Sequence, residues 1–354
     1  MKKLSVDQIN YINIGLMVIA AVAAFFKPFE TFLFAYAFFG PLHYLTEISW
    51  LHDKQYFTKG KYDFLFLLGA GVLITLSYFD ILKSDDDSMK GFSTAITFIA
   101  FGAALVFVLT KNNLARIGWI ALIALIGYKL RTADSIDNIF GAFLPTLIHV
   151  FIFTGLFILV GALKGRNFSG ILSLVVFIVI SIMLFKIHPE RNYPISDYVH
   201  NSFGYVKPDG TPTDGFFTLN YTVTHVFKMH EFGHPGITQS QFIDEINNYI
   251  YHAPLALALM AFIAFAYLYH YLNWFSKTSV IQWHNIPRSR FAVVIGLWIV
   301  SLALYMYDYS VGLKWLFFLS FTHVLLEFPL NHLTFINIGK EIGNIFSSGK
   351  FAKN

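Results

Sequence analysis

The chain has 354 residues, of which 56% are hydrophobic, 18% aromatic and only 13% charged, with a mean hydropathy of +0.58; that leaves too little polar surface to cover a soluble globule. Its formal charge of +4 is scattered over short polar segments and never gathers with interleaved aromatics, which argues against nucleic acid as a partner. There is no cysteine, so disulfides, thiolate zinc sites and cysteine nucleophiles are excluded, and any metal must be held by nitrogen and oxygen.

Met1-Lys2-Lys3 and the apolar run after it, with Ala21-Val22-Ala23, have the form of a signal peptide with a small-residue cleavage site. The run has a partner late in the chain and is read instead as a retained first helix. Stretches long enough to cross a hydrocarbon core of ~30 Å recur at 11–26, 31–51, 62–82, 92–110, 114–130, 140–163, 168–187, 250–275, 291–308 and 314–335. The expected fold is therefore an all-α integral membrane protein: one polytopic domain over 1–354 with about ten transmembrane helices.

With the N-terminus inside, the cytoplasmic segments hold fifteen of the 25 basic residues, including Lys2, Lys3, Lys54, Arg116, Arg288, Lys350 and Lys353. The other side carries the acidic run Asp85-Asp86-Asp87. The positive-inside rule then places both termini in the cytoplasm, in a bacterial inner membrane. The one long connection, 188–249, is rich in Pro, Gly, Asn, Asp and Tyr and is expected outside as a loop or small cap.

The second span ends in Gly40-Pro41-Leu42-His43-Tyr44-Leu45-Thr46-Glu47, with His52 beyond, and the last contains His323, Glu327 and His332. Both read H-x3-E-x4-H. Ile14-Gly15-Leu16 and Ile295-Gly296-Leu297 precede them at nearly the same spacing, so the first and last helix hairpins form an internal repeat. With thirteen His and seven Glu, one such pattern arises by chance in roughly one sequence of this composition in a hundred, and two far more rarely.

Residues four apart share a helix face, so each hairpin offers an imidazole and a carboxylate together. His43, Glu47, His323 and Glu327 are expected to meet in one site toward the cytoplasmic half of the membrane. His52 and His332 lie half a turn round from the first histidine of each motif and join only if the helix ends or bends, for which Pro329 is a candidate. His149 in the sixth span and His270 in the eighth are further candidate ligands, and His284 follows in the next loop. A single intramembrane histidine more often bonds a neighbouring carbonyl; the repetition is what favours function here. A sulfur-free set of this kind suits iron first, with zinc or manganese as alternatives, and the bilayer suits a lipophilic substrate. In that reading the histidines are ligands, while Glu47 and Glu327 ligate or orient them and serve catalysis.

The run Gly40 to Glu47 resembles the Brp/Blh membrane proteins, bacterial beta-carotene 15,15'-oxygenases that make retinal. The resemblance covers about ten residues and the general architecture, and Tyr44 stands where that family usually has glycine. It implies a polytopic oxygenase holding iron through histidines and cleaving a carotenoid, with His43 as a ligand and Glu47 as its acidic partner. The H-x-x-H-H clusters of membrane desaturases are missing.

Two other readings compete. His230-Glu231-Phe232-Gly233-His234 in the long loop is formally a zinc-protease motif, although Gly233 and Pro235 oppose the helix it needs. Intramembrane His and Glu also build proton or metal-ion pathways, so a transporter is the alternative from another class. In a third class, a structural or assembly protein, the histidines would only lock helix packing.

Overall fold

Lipid offers the backbone no hydrogen bonds, so each apolar run must close its own ladder as a helix. The computed structural model describes residues 4–82, 89–187 and 193–348. Lys2, Lys3, Asp85-Asp86-Asp87, His188, Lys350 and Lys353 lie outside the described residues. Among those described, the structure is helical apart from turns and one bridge between Val206 and Pro212.

Helix α1 (Val6–Phe26) opens with a capping box between Ser5 and Gln8. Only Lys27 separates it from α2 (Pro28–Phe34), which continues through a π-helical turn (Ala35–Phe39) into α3 (Gly40–Asp53). Then come α4 (Asp63–Tyr78), α5 (Phe92–Leu109) and α6 (Asn113–Leu130). The next rod is long, built from α7 (Asp134–Ile136), a π-helical stretch (Asp137–Phe153) and α8 (Thr154–Gly165). After α9 (Phe168–Lys186), the short helices α10 (Asp197–Phe203), α11 (Phe217–Val226) and α12 (Gln239–His252) form the cap. The chain returns as α13 (Pro254–Ser276), turns through α14 (Thr278–Ile281), and ends with α15 (Arg288–Tyr307) and α16 (Tyr309–Ser348).

Eight of these rods are long and apolar enough to cross a bilayer. The shorter α4 and the composite α2 to α3 fill the other two expected positions. The long connection runs on to Ala253, the residue before α13, and the last span is longer than its apolar run because α16 continues to Ser348.

Burial separates posts from outer staves. The apolar window of α13 is 83% buried, against 6% for α6 and 17% for α15, so α13 stands inside the bundle while the other two face lipid. One apolar core gathers around α13 from α1, α2, α9 and the cap. A second gathers around α16 from α4, α5 and the middle of the π-bearing rod. Phe203 and Phe216 seat the cap edge-on against Phe32, and Asp214 holds it to Lys314 at the start of α16, 2.7 Å away.

The start of α4 is tied to α6 by a bidentate pair: Arg116 donates to both carboxylate oxygens of Asp63 at 2.9 and 3.1 Å, and the Gly60 N–H donates to the same carboxylate. Both side chains are nearly buried, so removing one partner strands a charge. Arg116→Met is expected to lower stability by about 3 kcal/mol, read as an earlier melt in detergent, and Asp63→Leu on top should recover part of the loss.

Candidate metal centre

Four histidines meet at the seam between the two cores. His43 comes from α3, His149 from the π-helical stretch, His270 from α13 and His323 from α16, each buried. They sit 15, 15, 16 and 14 residues beyond Pro28, Asp134, Pro254 and Tyr309, the starts of four helices that run in the same sense. At the helical rise this puts them all about 20 Å below the cap, nearer the opposite face of the bundle. Each extra residue of a π turn rotates the remainder of its helix by about 100°, so the turn at Ala35–Phe39 helps set the face that His43 presents.

Neighbouring rings close a circuit, with centroids 4.7 Å apart for His43 and His270, 4.9 Å for His270 and His149, 4.9 Å for His149 and His323, and 5.5 Å for His323 and His43. Two Nε2 pairs face each other, His43 with His270 at 3.0 Å and His149 with His323 at 3.1 Å. One turn beyond lie the carboxylates: Glu47 Oε2 is 3.1 Å from His43 Nε2, and Glu327 Oε2 is 3.0 Å from His149 Nδ1. Glu327 thus approaches the histidine of another helix and not the one in its own motif.

These contacts leave the polar groups under-satisfied. The two carboxylate distances lack hydrogen-bond alignment, so Glu47 Oε2, Glu327 Oε2 and His149 Nδ1 have no partner, and His43 Nδ1 and His323 Nδ1 have none either. No lysine or arginine among the described residues pairs with either glutamate. In ionised form, two buried carboxylates without a cation would each carry a desolvation cost of several kcal/mol.

A shared proton between two imidazoles would account for one 3 Å contact. A cation accounts for the group. Nitrogen ligands at ~2.1 Å from a metal lie roughly 3.0 Å apart at a right angle and 3.4 Å at the tetrahedral angle. The two Nε2 pairs match the first value, and ligand atoms of His43, His149 and His323 all lie within 4.8 Å of one another. The residues therefore fit a metal ion, and the nitrogen and oxygen donors suit iron, manganese or zinc.

Neighbouring side chains fix the rings. Thr154 Oγ1 is 2.8 Å from His270 Nδ1, leaving Nε2 to face the centre, and Tyr44 stacks on His323 at 4.2 Å. Trp274 donates to Thr46 across α13 and α3 at 3.0 Å. The glycine in Gly40-Pro41-Leu42-His43 has a local reason: a Cβ there would crowd the Tyr44 and Tyr271 hydroxyls, which bond each other at 2.9 Å. A cavity of about 190 Å³ adjoins the ring, reaching His149, His270 and His323 at one end and Gly215 and Phe216 of the cap at the other.

Two expected ligands fall elsewhere. His52 is 60% exposed and pairs with Asp53, because α3 continues to its last turn without a bend and carries the ring to the far side. His332 lies against Phe101, its Nε2 2.8 Å from that residue's carbonyl oxygen, since α16 runs through Pro329 as one helix. His284 is exposed in the connection before α15. Thr154, Tyr36, Tyr267 and Tyr271 were not legible as site residues, because single tyrosines and threonines in apolar helices carry no spacing signal.

The zinc-protease motif does not form a helix. Residues 227–238 lie between α11 and α12, Gly233 has φ +79°, and His230 pairs with Glu245 at 3.0 Å while Glu231 and His234 are exposed. Comparison with known families, curated proteins and solved structures finds no match to the chain.

His43→Ala, His149→Ala and His323→Ala should each lose bound metal, as read by elemental analysis of protein purified in mild detergent. His52→Ala and His332→Ala should keep it. In the cap, the His230 side chain and the Gly233 N–H hold the Glu245 carboxyl below its usual range. A depressed carboxyl stabilises above its unfolded pKa, about 4.3, and that contribution is lost as pH falls through the folded value. Hydrogen exchange across 227–238 should therefore accelerate below about pH 4, and Glu245→Gln should remove that pH step.

Proposed function

We propose that the chain is a membrane-embedded, metal-dependent oxygenase, with non-haem iron as the metal, acting on a lipophilic isoprenoid or other lipid. The observation that carries this reading is the ring of four buried imidazoles beside two uncompensated carboxylates, opening on a cavity inside a lipid-solvated bundle. Bound iron would supply dioxygen activation. The chain's own part is to hold the imidazoles in their rotamers, exclude water from the seam, and place a substrate bond beside the ring. Carotenoid cleavage is the form of this reaction that the resemblance at Gly40 to Glu47 implies. The same reading has both termini on the cytoplasmic side of a bacterial inner membrane.

Ion or proton transport is the second reading, favoured by one observation: His323, Glu327 and Asn331 succeed each other at one-turn spacing on α16, all buried, with both side-chain polar atoms of Asn331 unpartnered. Stoichiometric iron with oxygen uptake favours the enzyme, whereas metal or proton flux in liposomes favours transport.

In cells that accumulate beta-carotene or its hydroxylated derivatives, the protein is expected to bleach pigment and release a shorter apocarotenal. His43→Ala and His323→Ala should abolish bleaching while insertion is unchanged. Unaltered pigment in every strain, with verified iron-loaded protein, would remove carotenoid cleavage and leave the broader lipid reading.

A further inference from the structure

The cavity beside the imidazole ring is lined by two chemically different sets of side chains. One is the histidines. The other is tyrosines: Tyr36, Tyr44, Tyr267 and Tyr271 all line the space, with Ser320 among them. Tyr44 and Tyr271 bond through their hydroxyls, and the Tyr36 hydroxyl lies 3.0 Å from Ser320 Oγ. Tyr267 is only 4% exposed, and its hydroxyl has no hydrogen-bond partner among the described residues.

A pure hydrocarbon gives such a lining nothing to bond. Each phenol is both donor and acceptor, and burying an O–H against hydrocarbon leaves it unsatisfied, which is costly. Phenylalanine is the commonest aromatic of this chain, with 40 residues against 19 tyrosines, yet tyrosines outnumber phenylalanines around this cavity. The hydroxyls are therefore concentrated around this cavity, and one of them has its bond still to make.

We infer that the cavity binds a lipid carrying an acceptor oxygen, an isoprenoid alcohol, aldehyde or quinone, whose oxygen takes a hydrogen bond from Tyr267 while the apolar remainder lies toward the lipid-facing helices. The inference deepens the oxygenase reading and rests on it for the word substrate, but the binding site stands on the tyrosines alone. It also departs from the hydrocarbon that the family resemblance implies, at the position where Tyr44 replaces that family's glycine.

The test compares farnesol with farnesene, which share a chain and differ in the oxygen. Detergent-solubilised protein should retain radiolabelled farnesol about tenfold more tightly than farnesene, after correction for empty micelles, as one buried hydrogen bond provides. Tyr267→Phe removes a hydroxyl that bonds nothing in the protein, so the variant should fold and melt like the parent. It should bring farnesol down to the affinity of farnesene and leave farnesene unchanged. Tyr36→Phe, which also breaks a contact to Ser320, should lose part of the preference. Equal retention of the two ligands by the parent protein, or a parallel loss of both in Tyr267→Phe, overturns the inference. Iron content measured on the same samples separates the two claims: an alcohol preference without metal supports this site and sinks the oxygenase, while metal without the preference does the reverse.

Discussion

Inside a bilayer a buried polar group can be satisfied only by another group of the protein or by something the protein binds, and six such groups within about one helical turn of depth govern this structure. Four imidazoles and two carboxylates cannot be dispersed into lipid, so the helices that carry them must share one seam. The most buried helix, α13, contributes His270 and also Asn273 and Trp274 on the next turn. Around the ring, Thr154 and Tyr44 contact His270 and His323 directly, and the Trp274–Thr46 hydrogen bond ties α13 to α3 beside them. This arrangement holds two apolar cores together through a polar joint, which is costly unless the joint binds a cation.

The same seam divides labour across a few ångströms. Nitrogen and carboxylate come from α3, α13, α16 and the π-helical stretch, while the phenolic hydroxyls of Tyr36, Tyr44, Tyr267 and Tyr271 come from the π turn after α2, from α3 and from the second half of α13. A ligand filling the cavity would touch both. Aromatic rings make the lining rigid at little entropic cost, because each tyrosine has only two side-chain torsions to fix.

Much of this was legible in the residues. Apolar run length located the helices, since composition and length are what a bilayer selects, and the H-x3-E repeat located His43, Glu47, His323 and Glu327. The repeat overreached at its last position: nine residues turn a continuous helix through two and a half turns, so His52 and His332 face away from the first histidine. The expected hinge at Pro329 does not end α16. His149 and His270 were candidates only as isolated intramembrane histidines, because the contacts that join them to the motif are 174 and 227 residues long in sequence. The π-helical geometry around His149, and the pairing of Glu327 with a histidine outside its own motif, depend on packing between helices and leave no periodic trace.

The four imidazoles come from the second, sixth, eighth and tenth rods, in chain order, and this imposes a sequence in time on the site. A membrane chain is inserted from its N-terminus, so His43 waits through 106 residues for His149 and through most of the protein for His323. Until α16 is threaded in, Glu47 has no counterpart carboxylate and three rings face an open groove on the bundle. Closure of that groove by the final helix completes both the second apolar core and the ligand set in one event. The four-imidazole set therefore exists only in the finished bundle.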